Sequence, residues 1–588
     1  MSNKTLRSNE NKQHSFLQGS VILVVATMLV KVIGAIYRIP LGELLDTTGM
    51  GYYSTAYDLY VPMYSIAMAG LPIAISRIVS EHVAAGRFKH VKNTLNVAKA
   101  AFFVTGGVGF VLMVLLAFLL TGNSFTVFGH EFSFEVFNKG TLPGILSIAP
   151  CLIFCCIMSA YRGYYEGLRN MTPTAISQVI EALGKLIFGY GLSFVILKMT
   201  GNYSYAAAGA LLGISLGTVV SALYLEIKYR VSGKYAFTAE QLEAAPEPYS
   251  NGKTLKILAA VAIPIVIGSL VNNVSSLIDV AMVQSQLSRA IEKSPEVFAD
   301  SYSGLIAYEQ SIALKNGQAF DWVKDLPNSL YGAHRGFAFS IYNLVPSLTS
   351  VLGVSAIPVL AAAWTRRDKQ EIKENVNTML RTTALVAIPA GFGIIFMADN
   401  ILNLLYSNRF AVEIATPNLR VLGVCAIFAG LNGPLTNMLQ AIGKQSVPLK
   451  NIAIGAVLKI AINFILVGTP AINIFGVPIG TTVCYAYICV ANFICFVKYS
   501  GVMPNILLAI IKPLVCGAAC GTSAFAVSRL LLGVGLGSSI VTLISIVLAV
   551  VVYVVMLFIV KAVTSEDIKS LQKSKKFGKI LEKLGKIR

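Results

Sequence analysis

Lys31 and Arg38 stand seven residues apart in the first apolar segment of the chain, in the run Lys31-Val-Ile-Gly-Ala-Ile-Tyr-Arg38. Seven residues make two helical turns, roughly 10 Å along one face, so the pair forms a positive stripe where ionisable groups are expensive and usually functional. Arginine offers a bidentate fork to phosphate oxygens and lysine a point charge; together they suit a phosphate or pyrophosphate headgroup. Packing offers the other account, with Arg38 snorkelling to an interface while Lys31 pairs with an acid. Glu181 and Lys185 are spaced i, i+4 in the favourable order, which reads either as an internally neutralised pair or as ligand contacts. Lys459 has no acid at such a spacing in its own segment and is assigned to a cavity wall. Asn272, Ser276 and Asp279 share one helical face. Oxygen-bearing groups around one carboxylate fit a Na⁺ or H⁺ coupling site, and hydrogen bonding between helices, or pairing of Asp279 with Lys31 or Lys459, is the alternative. Asp58, and His334 with Arg335, are candidates for gating an outer mouth. With five His, and nine Cys that all fall in apolar runs, no metal site or disulfide framework is expected. No P-loop, zinc motif or catalytic triad is present, so no cofactor and no catalytic residue is assigned.

The elements that must hold these groups are membrane helices. Of 588 residues 55% are hydrophobic and only 13% charged, whereas a soluble domain carries about a quarter charged. This excludes a soluble enzyme, a secreted disulfide scaffold and a disordered chain. A crossing needs about 20 mostly apolar residues, and fourteen candidates are found: 15–40, 52–80, 94–121, 140–161, 173–199, 206–230, 254–283, 329–363, 376–398, 411–439, 449–468, 475–499, 504–531 and 536–562. The first is too long for a signal peptide and is expected to be retained. Basic residues concentrate in alternate loops, such as Arg87, Lys89 and Lys92, then Arg366, Arg367, Lys369 and Lys373. The positive-inside rule then puts both termini in the cytoplasm of a multi-pass cell-membrane protein. Most of the +19 formal charge is therefore topological and implies no nucleic-acid partner; Lys31, Arg38, Lys185 and Lys459 are the basic residues left at membrane depth.

The segment Glu166-Gly-Leu-Arg-Asn-Met-Thr-Pro173, followed by a helix with Lys185, has a weak counterpart in Gln440-Ala-Ile-Gly-Lys-Gln-Ser-Val-Pro448, followed by a helix with Lys459. Internal repeats are the usual build of alternating-access carriers. The expected organisation is a cytoplasmic N-terminal segment (1–14), a six-helix lobe (15–230), a cytoplasmic linker (231–253), a second six-helix lobe (254–499) carrying an extracellular insertion (284–327), two further helices (504–562), and a basic tail (563–588). The insertion holds Glu292, Glu296, Asp300, Glu309, Asp321 and Asp325 and reads as a peripheral amphipathic element. The tail sets apolar residues on one face among lysines and suits a helix on anionic inner-leaflet lipid. A monomer is expected.

Three stretches resemble the bacterial polysaccharide-biosynthesis flippases, nearest to their SpoVB/YtgP branch and related to the lipid II flippase MurJ. They are Gly49-Met-Gly-Tyr-Tyr-Ser-Thr-Ala-Tyr-Asp-Leu-Tyr60, Gly70-Leu-Pro-Ile-Ala-Ile-Ser-Arg-Ile-Val-Ser-Glu81 and Tyr161-Arg-Gly-Tyr-Tyr-Glu-Gly-Leu-Arg-Asn-Met-Thr-Pro-Thr-Ala-Ile-Ser-Gln178. The resemblance implies an all-α integral membrane fold of the multidrug/oligosaccharidyl-lipid/polysaccharide exporter type, with about 14 transmembrane helices: two pseudo-symmetric six-helix lobes in a V, and two C-terminal helices. It implies outward movement of an undecaprenyl-pyrophosphate-linked glycan, such as lipid II. Lys31-Val-Ile-Gly34 with Arg38 is similar to the basic pattern that lines the headgroup cavity in those relatives. The arginine they carry on the second helix is missing from Met63–Ala69, so further charge is assigned to Lys185, Lys459 or Arg335. Lys459 and Asn463 stand where the relatives hold sodium, and a lysine there disfavours Na⁺, which favours membrane potential or H⁺ as the energy source. A drug/cation antiporter of the same fold is the runner-up, although a cavity for cations would need unpaired acids. A multi-pass glycosyltransferase would have to hide its carboxylates in the 284–327 insertion.

Overall fold

The computed structural model describes residues 2–65, 71–122, 125–127, 130–132, 136–231 and 237–562, with side chains described there except at 2–21, 24, 125–127, 130–132, 264–277, 279, 351–356 and 358. The basic tail, and the side chains of Asn272, Ser276 and Asp279, lie outside the described set. The described residues are helical apart from short connections and one antiparallel pairing of Phe125–Val127 with His130–Phe132. In a bilayer, helices satisfy every backbone N–H and C=O within the segment, which is why so apolar a sequence takes this form.

Among the described residues, eleven helices are long and apolar enough to cross a membrane. Three of the expected crossings are not separate members of that set. The part of segment 52–80 up to Ser65 runs on from 15–40 in one helical stretch, Ser2–Ser65, which is two helices meeting at Asp46 (φ 54°, ψ −167°), and residues 71–80 lie in Leu71–Ala84. Segment 254–283 lies inside Asn251–Lys293. Segment 329–363 is broken into Trp322–Gly332, a π-helical turn Ala333–Ala338, Phe339–Tyr342 and Leu344–Arg366. Pro327 inside the first of these pieces removes a backbone donor.

The chain divides into two compact units. The first comprises residues 1–340, 406–415 and 452–480. Its helices approach closely through small residues. A Cβ on Gly184 would meet the Gly217 backbone, and one on Gly213 the backbone of Phe188 and Gly189, so Tyr203–Val231 lies tightly against 172–200. The same device joins the stretch after Asp46 to Trp322–Gly332: a Cβ on Gly332 would overlap the Thr47 carbonyl and the Gly51 amide, and one on Gly51 would overlap Asn328. The second unit comprises residues 341–405, 416–451 and 481–588. Leu360, Ile372, Leu380, Leu439 and Phe496 belong to its apolar core. Asn451 donates to Asn492 (2.8 Å), which donates to Asn432 (2.8 Å), a chain of amides satisfied inside the packing. The nine cysteines are unpaired thiols, all but Cys495 buried.

Replacing Gly332 by Ala forces one methyl group into backbone that cannot yield. It is expected to cost about 1–3 kcal/mol, read as a lower thermal midpoint in detergent. Gly191, where an added Cβ meets nothing within 4 Å, should accept Ala without loss; equal midpoints for both variants would refute the close-approach account.

Candidate functional site

The pre-kink and post-kink parts of Ser2–Ser65 place their side chains around a cavity of about 350 Å³ in the first unit, completed by Arg162, by Thr172–Thr200 and by Ile214. Lys31 and Gly34 come from before the kink, and Tyr57, Tyr60 and Tyr64 from after it. The three tyrosines sit at i, i+3 and i+7, which puts them on one face, and neighbouring rings touch at centroid distances of 6.1 and 5.4 Å. Lys185 opens a π-helical turn, Lys185–Gly189, a distortion often found at functional positions. Its ammonium lies 5.1 Å from the ring centroids of both Tyr37 and Tyr57. Aromatic faces attract a cation, which offsets part of the cost of holding the ammonium at this depth.

Glu181 does not pair with Lys185. Its carboxylate accepts from the Arg162 guanidinium at 2.9 Å, and Arg162 Nε donates to Ser177 Oγ at 2.9 Å. Arg162 is 3% exposed, and at that depth an arginine requires a partner. Among the described residues the lining carries three basic side chains, Lys31, Arg162 and Lys185, and one acidic one, Glu181. Arg38 is adjacent but not part of the lining: it donates to Ser340 Oγ at 2.7 Å and lies about 6 Å from the rings of Tyr53 and Tyr57. Lys459, half-buried on Ser446–Val467, does not line this cavity.

Arg335 is drawn elsewhere. Its Nε and a terminal nitrogen grip both oxygens of Asp58 at 2.7 and 2.6 Å, and Tyr331 donates a third bond to Asp58 at 2.8 Å. Asp58 is 3% exposed. A bidentate buried pair of this kind is among the strong charge-assisted contacts, and it engages the guanidinium that the sequence reading offered both to headgroup binding and to gating. The adjacent His334 is buried and its ring lies 6.4 Å from Phe339.

The insertion also makes contacts that sequence reasoning missed. Glu309, on Ser303–Lys315, is buried and accepts from Thr47 (2.6 Å) and Ser329 (2.7 Å). Asp46, at the kink, accepts from the Thr47 amide (2.6 Å), from Tyr308 (2.9 Å) and from Asn408. These bonds hold a residue in a strained backbone conformation. A second cavity, of about 450 Å³, lies among Asp46, Tyr52, Tyr203, Glu309 and Asp325.

Residues 16–294 match the family described as polysaccharide biosynthesis protein, and residues 337–534 match that of the lipid II flippase MurJ. Stage V sporulation protein B of Bacillus subtilis (strain 168) is 25% identical over 468 residues, covering 79% of this chain and 80% of that protein. Lipid II flippase MurJ of the same organism is 24% identical over 498 residues, covering 84% of each chain. Among solved structures, the inward closed conformation of lipid II flippase MurJ aligns with TM-score 0.61 at 12% identity, covering 91% of this chain and 98% of that one. An inward-facing multidrug-resistance MATE transporter of the MOP superfamily aligns with TM-score 0.56 at 14% identity, covering 79% of this chain and 98% of that one. The fold is that of this superfamily of multi-pass membrane transporters.

Burial pushes the Glu309 carboxyl up to about 7, with the bonds from Thr47 and Ser329 opposing the shift and the nearby Asp46 charge adding to it. A carboxyl raised in the folded state contributes stability that is complete below its ordinary value of 4.5 and is lost as pH rises through about 7. Thermal stability of the purified protein is therefore expected to fall across that window. Glu309→Gln should flatten most of the fall, leaving a smaller slope of the same sign from Asp325, whose carboxyl burial also raises. Identical pH slopes in the two proteins would show that Glu309 does not titrate where its surroundings require.

Proposed function

We propose that this member of the bacterial polysaccharide-biosynthesis flippase family translocates an undecaprenyl-pyrophosphate-linked oligosaccharide, lipid II or a related cell-wall intermediate, from the inner to the outer leaflet by alternating access. The family matches support movement of lipid-linked oligosaccharide in general terms; the observation that carries the finer reading is the charge of the 350 Å³ cavity. Among the described lining residues basic side chains outnumber acidic ones three to one, which suits a doubly anionic pyrophosphate diester. Lys31 and Lys185 are the direct headgroup ligands in this account, with Arg38 adding positive potential from just outside the lining. Arg162 is held against Glu181 and Ser177, ready to turn a guanidinium edge toward the phosphates.

The tyrosine face and Gln178 give the rest of the headgroup apolar and hydrogen-bonding contacts, while the polyprenyl tail stays in lipid. A cation-exporting role in the same fold is disfavoured by the same arithmetic, since a cation entering this cavity meets like charge. The protein acts as a carrier rather than an enzyme in this reading, drawing on membrane potential or H⁺. The basic tail would anchor to anionic lipid.

Each charge-assisted hydrogen bond to the phosphates is worth about 1.5–3 kcal/mol, so removing two is expected to slow translocation at least tenfold. The measurement is the appearance of a lipid-linked precursor at the outer leaflet of vesicles containing wild type or the Lys31→Ala, Lys185→Ala double variant, at matched protein level. Undiminished appearance in the double variant would sink the headgroup assignment.

A further inference from the structure

The 450 Å³ cavity is built differently from the cationic one. It is bounded by the post-kink helix, the start of Lys139–Gly167, the start of Tyr203–Val231 and the insertion. Tyr52, Tyr203 and Tyr205 supply aromatic surface, and Asn316 and Gln318 supply amides. The side chains of Asn316 and Tyr205 have no hydrogen-bond partner among the described residues. Gln318 donates from Nε2 to the Gly201 carbonyl (3.0 Å), leaving its oxygen open. The carboxylates of Glu309 and Asp46 are engaged only by neutral donors, and each carboxylate has about four acceptor sites, so capacity for further O–H donors remains. Lys139 in the same lining offsets part of the charge of Asp46, Glu309 and Asp325.

Aromatic faces, open amides and carboxylates with spare acceptor capacity are the chemistry that binds a pyranose. Ring faces pack on its C–H surface, and amides and carboxylates take its hydroxyl and acetamido groups. The volume falls in the range of small-molecule sites. Position adds to this, because both cavities are lined by the same two helices: Tyr52 against Tyr57 and Tyr60 on one, Tyr203 and Tyr205 against Ile214 on the other. At a rise of about 1.5 Å per residue, Tyr52 and Tyr60 are roughly 12 Å apart along their helix. Asp58, clamped to Arg335 and Tyr331, lies on the stretch between them.

We infer that this second cavity is a glycan-binding chamber, holding an N-acetylated sugar unit of the substrate beyond the Asp58–Arg335 contact. The inference rests on the proposed translocation of a lipid-linked oligosaccharide and adds where its sugar is received. Glu309 then has a purpose in fixing the insertion as the chamber wall, since it ties Ser303–Lys315 to Thr47 and Ser329.

The test uses the full chain in nanodiscs. The two tryptophans are Trp322 and Trp364; Trp322 lies three residues from the lining residue Asp325, so in a Trp364→Phe background its emission reports on the chamber. Di-N-acetylchitobiose is expected to give a saturable emission change, weakened at least tenfold by Asn316→Ala with Tyr205→Ala. Lys31→Ala with Lys185→Ala should leave that response intact. A change that survives the Asn316/Tyr205 variant, a response to methylammonium in place of the sugar, or no saturable response would each overturn the chamber. Binding of undecaprenyl pyrophosphate, measured in parallel, separates the two readings. Its presence without sugar binding removes the chamber alone, and its absence from wild type removes the headgroup assignment on which the chamber depends. Both substituted chamber residues are exposed, and retained lipid binding in that variant shows that it is folded.

Discussion

The arrangement of the first unit depends on how closely two backbones can approach at Gly51 and Gly332. With no Cβ on either residue, the post-kink helix and Trp322–Gly332 come within backbone contact. Seven residues beyond Gly51 is Asp58, and three beyond Gly332 is Arg335, so the crossing delivers a carboxylate and a guanidinium to each other. Neither would be tolerable alone at 4% and 22% side-chain exposure in an apolar setting, and breaking such a pair one-sidedly costs about 3–5 kcal/mol. The glycines are thus the condition for the ion pair, and the ion pair is the condition for having either charge there. A contact that is strong when paired and costly when half-made forms or breaks as a unit.

The cationic cavity solves a different problem, that of holding basic side chains at membrane depth. Arg162, the most buried of its cations, is neutralised by Glu181 and Ser177. Lys185 rests over Tyr37 and Tyr57, where the ring quadrupoles lower the cost of the ammonium while leaving its three donors for a ligand. The tight glycine packing of 172–200 against Tyr203–Val231 fixes Lys185 in register with those rings. Stability is assigned to one cation and availability to another.

Much of this was legible in sequence. Apolar length placed the helices, and their low charge made Lys31, Arg38 and Lys185 conspicuous. The tyrosine face was written as i, i+3, i+7 within a stretch already quoted for its family resemblance, yet aromatic spacing alone does not distinguish a cavity wall from packing. Arg162 stood in another such stretch; with Lys185 four residues from Glu181, nothing local marked Arg162, nineteen residues away, as the true partner. The i, i+4 rule assumes α-helical continuation, and the π-helical turn beginning at Lys185 breaks it. Asp58 and Arg335 are 277 residues apart, a separation at which sequence carries no pairing signal. The insertion read as peripheral because its acids resembled a solvated face; the burial of Glu309 follows from hydroxyl partners at Thr47 and Ser329 that belong to other elements.

On the proposed reading, the excess of basic over acidic lining residues also bears on energy supply. With a doubly anionic headgroup bound, that excess is offset, and the loaded transition moves little charge through the membrane field. The empty cavity keeps its excess, so the return transition carries positive charge toward the cytoplasm. An inside-negative potential favours that step by up to about 2.3 kcal/mol per elementary charge per 100 mV, scaled by the fraction of the field crossed. Potential would then act on resetting the carrier rather than on pushing the substrate. The same cations that select the headgroup would make the cycle directional, without a bound ion and without a nucleotide-binding domain.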